Sequence, residues 1–96
     1  MTHYIAFVEP GPKNYSAYFP DLPGCASAGD TLDETIANAE EALAAHVGFM
    51  AEDGDTIPPP RSLEAIKADP EHRADMHEVI VVAIPLTEPA RSAAAE

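Results

Sequence analysis

Residues 19–34 have the sequence FPDLPGCASAGDTLDE, and this stretch contains the two local signals that decide the fold. The first signal is a rigid turn at residues 20–24, where two prolines fix their own φ angles and Gly24 can adopt a positive φ. The second signal is the start of a helix, because Thr31 and Glu34 have the spacing of a capping box. The stretch therefore predicts a strand that ends before the turn, a short strand after it, and then a helix.

The predicted helix continues to about Gly54, where a glycine commonly ends a helix. Its apolar residues recur at steps of three and four, as on one face of an α-helix. They are Leu32, Ile36, Ala39, Leu43, Val47 and Met50, and Phe49 is expected to widen this stripe. Negative charge in the first turn complements the helix dipole. The face opposite the stripe is acidic and carries Asp33, Glu40, Glu41 and Glu52.

Four strands are predicted around this helix. Residues 3–9 and 15–19 are rich in β-forming side chains and predict a hairpin, and residues 25–28 predict a short third strand. Residues 78–86 predict a fourth strand that is apolar on both faces. That pattern indicates either an interior strand or a strand covered by an oligomer contact.

The segment between the long helix and the last strand predicts little regular structure. Ser62 can cap a short helix that continues to about Lys67, and residues 68–77 are expected to form a loop. The element order is β-β-β-α-(short α)-β, an α+β fold with the long helix packed on one sheet. The domain is expected to cover residues 1–86, followed by a flexible tail at 87–96.

Charge is the main global feature of this 96-residue chain. Seventeen Asp and Glu stand against five Lys and Arg, which gives a formal net charge of −12. Such a surface repels nucleic-acid phosphates and anionic membranes, so neither is an expected partner. A basic protein would be attracted to it. The alternative is that the charge only keeps the protein soluble.

The single cysteine, Cys25, excludes an intrachain disulfide and fits a reducing compartment. No apolar run approaches the ~20 residues needed to span a membrane, and no secretion signal is visible at the N-terminus. We therefore expect a cytoplasmic protein. Cys25 is expected to be a small buried apolar residue rather than a nucleophile. No cofactor or metal site is predicted.

The sequence resembles the HicB family of antitoxins, and residues between Tyr15 and Leu43 carry the resemblance. The motif residues, which we expect to be mainly structural, are Pro20, Asp21, Leu22, Pro23, Gly24, Cys25, Gly29, Asp30, Thr31 and Glu34. The resemblance implies a partial ribonuclease-H-like sheet with one packed helix, and a homodimer or homotetramer. It also implies a partner, the small basic toxin HicA, which cuts messenger RNA.

Many members of this family also carry a C-terminal DNA-binding segment that represses their own operon. Here about ten residues follow the last predicted strand, and Arg91 is the only basic residue among them. A ribbon-helix-helix unit does not fit in that length. We therefore expect no operon repression by this chain alone.

Two surfaces are predicted from these considerations. The expected toxin contacts are the acids Asp21, Asp33, Glu40 and Glu41; the alternative is that they form a solvated helix face with dipole-stabilising caps. The expected oligomer contacts are Val79, Val81 and Ala83 on the last strand.

Three functions remain open at this point. The first is an antitoxin that neutralises a HicA-type toxin by covering its active site, without catalysis. The second is an orphan oligomeric binding module that has lost its toxin. The third is a metal-dependent ribonuclease, which the sequence disfavours because the strand centres carry no Asp or Glu.

Overall fold

The computed structural model describes residues 2–73 and 79–87, except for the side chain of Arg73. It contains a four-stranded antiparallel sheet with one long helix packed on it, as the sequence predicts. The elements in chain order are β1 (His3–Pro10), β2 (Tyr15–Tyr18), β3 (Ala26–Gly29), α1 (Leu32–Glu52), α2 (Leu63–Ala68), α3 (Pro70–Arg73) and β4 (Ile80–Pro85). The strand order across the sheet is β3-β2-β1-β4.

The core lies between α1 and one face of the sheet. Because side chains alternate between the two faces of a strand, Tyr4 and Ala6 of β1 point to α1, and both are buried. They join buried residues of β4, α1 and the turn after β2, namely Phe19, Leu22, Cys25, Ala39, Leu43 and Ile84. The apolar stripe predicted from the helical spacing thus forms the helix side of the core.

A second apolar contact lies on the opposite face of the sheet. Phe7 is paired with Tyr18 across β1 and β2, and their rings meet edge to face with centroids 5.6 Å apart. Phe7 is fully buried, and so is Ile66 in α2. The sheet therefore has apolar side chains on both faces at β1.

Both ends of α1 have the caps that the sequence predicts. The Thr31 hydroxyl accepts the Glu34 N–H at 3.0 Å, and the Glu34 carboxylate accepts the Asp30 N–H at 2.7 Å. At the other end Gly54 has φ +77, and the Asp55 N–H donates to the Met50 carbonyl. This is the bonding pattern of a Schellman motif, which ends a helix by satisfying its last carbonyls.

The segment after α1 differs in part from the prediction. Ser62 does cap a short helix, and its side chain accepts the Ala65 N–H. The predicted loop over residues 68–77 is wrong at its start, because α3 occupies Pro70–Arg73. The Asp69 carboxylate accepts the Glu71 N–H, and proline is favoured at a first helical position. His77, Glu78 and the predicted tail beyond residue 87 lie outside the described residues.

One expectation about apolar residues is wrong, and one of two alternatives is excluded. Phe49 does not widen the buried stripe, since it is 66% exposed. Of the two alternatives for the fourth strand, the interior position is excluded, because among the described residues β4 pairs with β1 alone and forms an edge of the sheet. Its backbone therefore has one row of N–H and C=O groups without a partner strand among the described residues. Among the described helices, none combines the length and apolar composition needed to cross a membrane.

Gly29 is required where β3 approaches the first turn of α1. A Cβ built on Gly29 would lie 2.8 Å from both the backbone nitrogen and the hydroxyl oxygen of Thr35. Thr35 cannot move away easily, because it is fully buried and its hydroxyl donates to the Thr31 carbonyl at 2.8 Å.

We expect Gly29→Ala to reduce the free energy of unfolding by about 1–3 kcal/mol, the usual effect of overpacking a tight contact. Urea unfolding followed by circular dichroism measures this. Ala28→Ser, at an exposed neighbouring position in the same strand, is the control and should change stability by less than about 0.5 kcal/mol. Equal stability of Gly29→Ala and the wild type would show that helix and strand can separate here without loss.

Candidate protein-interaction site

Three of the four predicted toxin contacts lie on α1. Asp33 and Glu41 are exposed, and Glu40 is half-buried. Asp33 and Glu40 are seven residues apart, about two helical turns, so they lie on nearly the same side of α1. No Lys or Arg occurs from residue 14 to residue 60. The exposed side of α1 is therefore negative from Asp33 to Glu41, and no Lys or Arg of its own helix neutralises it.

Asp21 is placed differently from the other three acids. Its side chain is only 4% exposed, and its Oδ1 lies 2.6 Å from Arg61 Nε. Its other oxygen, Oδ2, accepts the backbone N–H of Arg61 at 2.7 Å. Both carboxylate oxygens are thus used inside the protein, which supports the structural role predicted for this motif residue. The prediction that it also contacts a toxin stays untested.

Arg61 extends this ion pair to a third residue. Its Nη1 donates to Asp69 Oδ2 at 3.1 Å. Arg61 donates hydrogen bonds to Asp21 and to Asp69, and these bonds, the one to Asp21 first, raise the pKa of Arg61. The pKa of Asp69 is lowered, first by the hydrogen bond that it accepts from the Glu71 N–H and then by the one that it accepts from Arg61. Sequence reasoning missed this network, because Asp21 and Arg61 are 40 positions apart and no local pattern connects them.

The turn at residues 20–24 is stabilised by main-chain bonds and by burial. The Leu22 N–H donates to the Phe19 carbonyl, and the Cys25 N–H donates to the Leu22 carbonyl. Gly24 has φ +90, the conformation predicted for it. Phe19 and Leu22 are each 1% exposed. These contacts explain the turn without a ligand, and they support a structural role for its residues.

Cys25 and Tyr4 both lie in the core beside this turn. Burial raises the pKa of the Cys25 thiol to about 11, so the thiol stays protonated at neutral pH and is a poor nucleophile. Burial, and then the charge of Asp21, raises the pKa of Tyr4. The Tyr4 hydroxyl donates to the Pro58 carbonyl at 2.6 Å, which ties the proline segment after α1 to β1.

A group of possible metal ligands lies next to the ion pair. Ligand atoms of Asp69, Glu71 and His72 come within 4.8 Å of one another, at an open depression of about 430 Å³ beside Pro20 and Pro23. Both Asp69 oxygens already accept hydrogen bonds, one from the Arg61 guanidinium. A cation there would compete with that positive charge for the Asp69 carboxylate.

The predicted oligomer contacts lie on or beside the open edge strand. Val81 and Ala83 are exposed in β4, and Val79, which precedes the strand, is half-buried. Ile80, which the sequence analysis did not select, is 37% exposed. An apolar edge strand of this kind can pair with another chain.

These features define a small α+β domain in which one helix covers a four-stranded antiparallel sheet and the exposed side of that helix is acidic. A family model described as "HicB_like antitoxin of bacterial toxin-antitoxin system" matches residues 4–93. The chain therefore belongs to the HicB-like antitoxin family.

Comparisons with individual proteins give a sequence relative and several solved structures. A protein of Haemophilus phage HP1, "Uncharacterized 14.9 kDa protein in rep-hol intergenic region", is 38% identical over 84 residues. The match covers 88% of this chain but only 62% of that relative's length. The solved structure "HicA3 and HicB3 toxin-antitoxin complex" matches with a TM-score of 0.72 and 29% identity, covering 90% of this chain and 99% of that one.

A further structural match is the N-terminal domain of the Burkholderia pseudomallei antitoxin HicB. Its TM-score is 0.72 at 25% identity, and the match covers 90% of this chain and 99% of that one. The fold of the described residues is therefore that of HicB antitoxin structures.

We expect Asp21→Ala to lower the free energy of unfolding by about 1–3 kcal/mol, because it removes hydrogen bonds to a charged partner. Arg61→Ala should destabilise the protein at least as much, because it leaves the buried Asp21 carboxylate with only the backbone N–H of residue 61. Urea unfolding measures both. Asp55→Ala, at an exposed acid, is the control. A loss below about 0.5 kcal/mol for Asp21→Ala would contradict the structural role.

Proposed function

We propose that this chain is an antitoxin that binds and neutralises a basic HicA-type mRNA-cutting toxin by covering the toxin's active site. Family membership supports a role in a toxin–antitoxin system, and one structural neighbour is a complex of HicA3 with HicB3. The blocking is steric and electrostatic, so no residue of this chain needs to perform chemistry. The free, buried thiol of Cys25 fits the cytoplasm as the compartment.

The observation that carries this proposal is the acidic side of α1. Asp33 and Glu41 are exposed there, and the net charge of −12 adds a long-range attraction for a cationic protein. Asp33 also stabilises the helix dipole, whereas Glu40 and Glu41 have no capping role. The proposal therefore rests chiefly on Glu40 and Glu41, and least on Asp21, whose carboxylate is buried.

The test uses a HicA-type toxin encoded beside this chain's gene. Purified toxin should cleave messenger RNA, and the purified chain should stop cleavage at equimolar ratio. Protection without detectable binding would contradict neutralisation by complex formation. If no such toxin is encoded nearby and none is recovered with the chain from cell extract, the orphan binding module becomes the better explanation.

We expect the double reversal Glu40→Lys/Glu41→Lys to weaken toxin binding about tenfold or more, because close complementary charges strengthen association. Calorimetry at about 50 mM and about 500 mM salt measures this, and the wild type should show the larger salt dependence. The control is Glu9→Lys/Glu64→Lys, which makes the same charge change at exposed positions outside α1. Equal affinities of the two double variants would remove Glu40 and Glu41 from the interface.

We also propose that β4 pairs with β4 of a second copy, which makes the chain a homodimer or part of a homotetramer. Val81 and Ala83 are exposed on this strand, and self-pairing would satisfy the open row of backbone groups. Val79 lies at the start of the same edge.

Val81→Lys should convert the wild-type oligomer to a monomer, because a charge on an edge strand disfavours pairing. Light scattering at micromolar concentration gives the mass. Ala28→Lys, an exposed position on the opposite edge strand β3, should leave the oligomer intact. A monomeric wild type, or an unchanged mass for Val81→Lys, would rule out the β4 contact.

A further inference from the structure

Phe49 is the most exposed large apolar side chain of the described residues. It is 66% exposed, compared with 37% for Ile80 and 36% for Val81. It lies in the last third of α1, although its neighbours Val47 and Met50 pack against the core. Phe49 therefore contributes little to the fold of a single chain, and its aromatic ring is available to a partner.

Phe49 belongs to a continuous exposed row on α1. Residues four apart are neighbours on a helix surface, and Glu41, Ala45, Phe49 and Asp53 follow one another at that spacing. All four are exposed. We call them the Phe49 ridge. It spans about 18 Å at 1.5 Å per residue, with an acid at each end, a small residue beside the ring, and no basic residue.

The charges at this end of α1 oppose the helix dipole. Cationic side chains stabilise the C-terminal turn of a helix and anionic ones destabilise it. Here the last turn contains no basic residue, while Asp53 and Asp55, which follow that turn, are exposed acids. The acids of the first turn have a capping role, but these do not.

The helix end does not need these acidic side chains. It is closed by main-chain bonds, in which the N–H groups of Asp53, Gly54 and Asp55 donate to carbonyls of the last turns. An exposed aromatic ring and acids at the negative end of the dipole thus coincide on one surface. Neither feature is explained by the stability of the single chain, and a positively charged partner would satisfy both.

We propose that the Phe49 ridge is the main contact for a basic protein partner, with the Phe49 ring inserted between cationic side chains of that partner. This inference rests on the proposed function and locates the toxin-facing surface at the C-terminal half of α1. A central aromatic residue surrounded by polar groups is the usual composition of an interface hot spot. The face of the ring attracts Arg and Lys, and Glu41 and Asp53 attract the same cations from both sides.

The test is the affinity of the full chain for the HicA-type toxin after substitution of Phe49. Phe49→Ala should weaken binding by about 30-fold, the usual loss at a hot spot, while Phe49→Tyr should retain most of the affinity. Circular dichroism and thermal unfolding should match the wild type, because the ring is exposed. Ile80→Ala, an exposed apolar truncation on β4, is the control and should change toxin affinity less than threefold.

A second pair of variants tests the flanking charge. Asp53→Lys should weaken binding more than Glu9→Lys, which makes the same charge change on β1. Glu9 lies near the end of the sheet where α1 begins. Its neighbour Pro10 pairs with Tyr15 of β2, and Tyr15 pairs with Gly29, the last residue of β3 before the helix. The Glu9 side chain lies on the face of the sheet that carries Phe7, away from α1, so the two substitutions probe different surfaces of the domain.

The outcomes separate this inference from the proposed function. If the wild type binds the toxin and Phe49→Ala binds equally well, the ridge is not the contact, and the antitoxin function stands. If the wild type neither binds nor inhibits the toxin, both fail. If Phe49→Ala changes the mass of the free chain, the ridge contacts a second copy instead, and the inference is overturned.

Discussion

The buried carboxylate of Asp21 holds together two parts of the chain that the sequence separates by 40 residues. One is the turn after β2, and the other is the segment between α1 and α2. Asp21 accepts both a side-chain and a main-chain N–H from Arg61, so the bond fixes the path of the backbone as well as the guanidinium. The Tyr4 hydroxyl makes a second tie from β1 to Pro58. With these two ties the chain returns from the end of α1 to the sheet along a defined path.

The acidic residues of this chain do not all have the same role. The acids fall into groups with different roles, although they contribute equally to the net charge. Asp21 and Asp69 hold Arg61. Glu34 accepts the Asp30 N–H in the cap of α1. Glu41 and Asp53 are exposed along one row of the same helix, where no basic residue neutralises them. This last group offers a charged surface to a partner.

The two exposed apolar regions lie on different elements and suit different contacts. β4 presents an open backbone edge, which suits strand pairing. The Phe49 ridge presents an aromatic ring among acids, which suits a convex contact with a cationic pocket. One chain can therefore carry an oligomer contact and a toxin contact on separate surfaces.

The sequence by itself determined the features that depend on residues a few positions apart. The capping box at Thr31, the short helix after Ser62, the stop at Gly54 and the β-forming residues of β1 are all local signals, and all the elements they predict are present. Only the tertiary structure decided the burial of Asp21, the exposure of Phe49 and the edge position of β4. Helical spacing placed Phe49 beside the apolar stripe, but the sheet covers only the side of α1 that carries Thr35, Ala39 and Leu43. The helical spacing of apolar residues gives the side of the helix on which a side chain lies. How many residues on that side are buried depends on how far the sheet extends across the helix, and the strands of that sheet are distant in sequence.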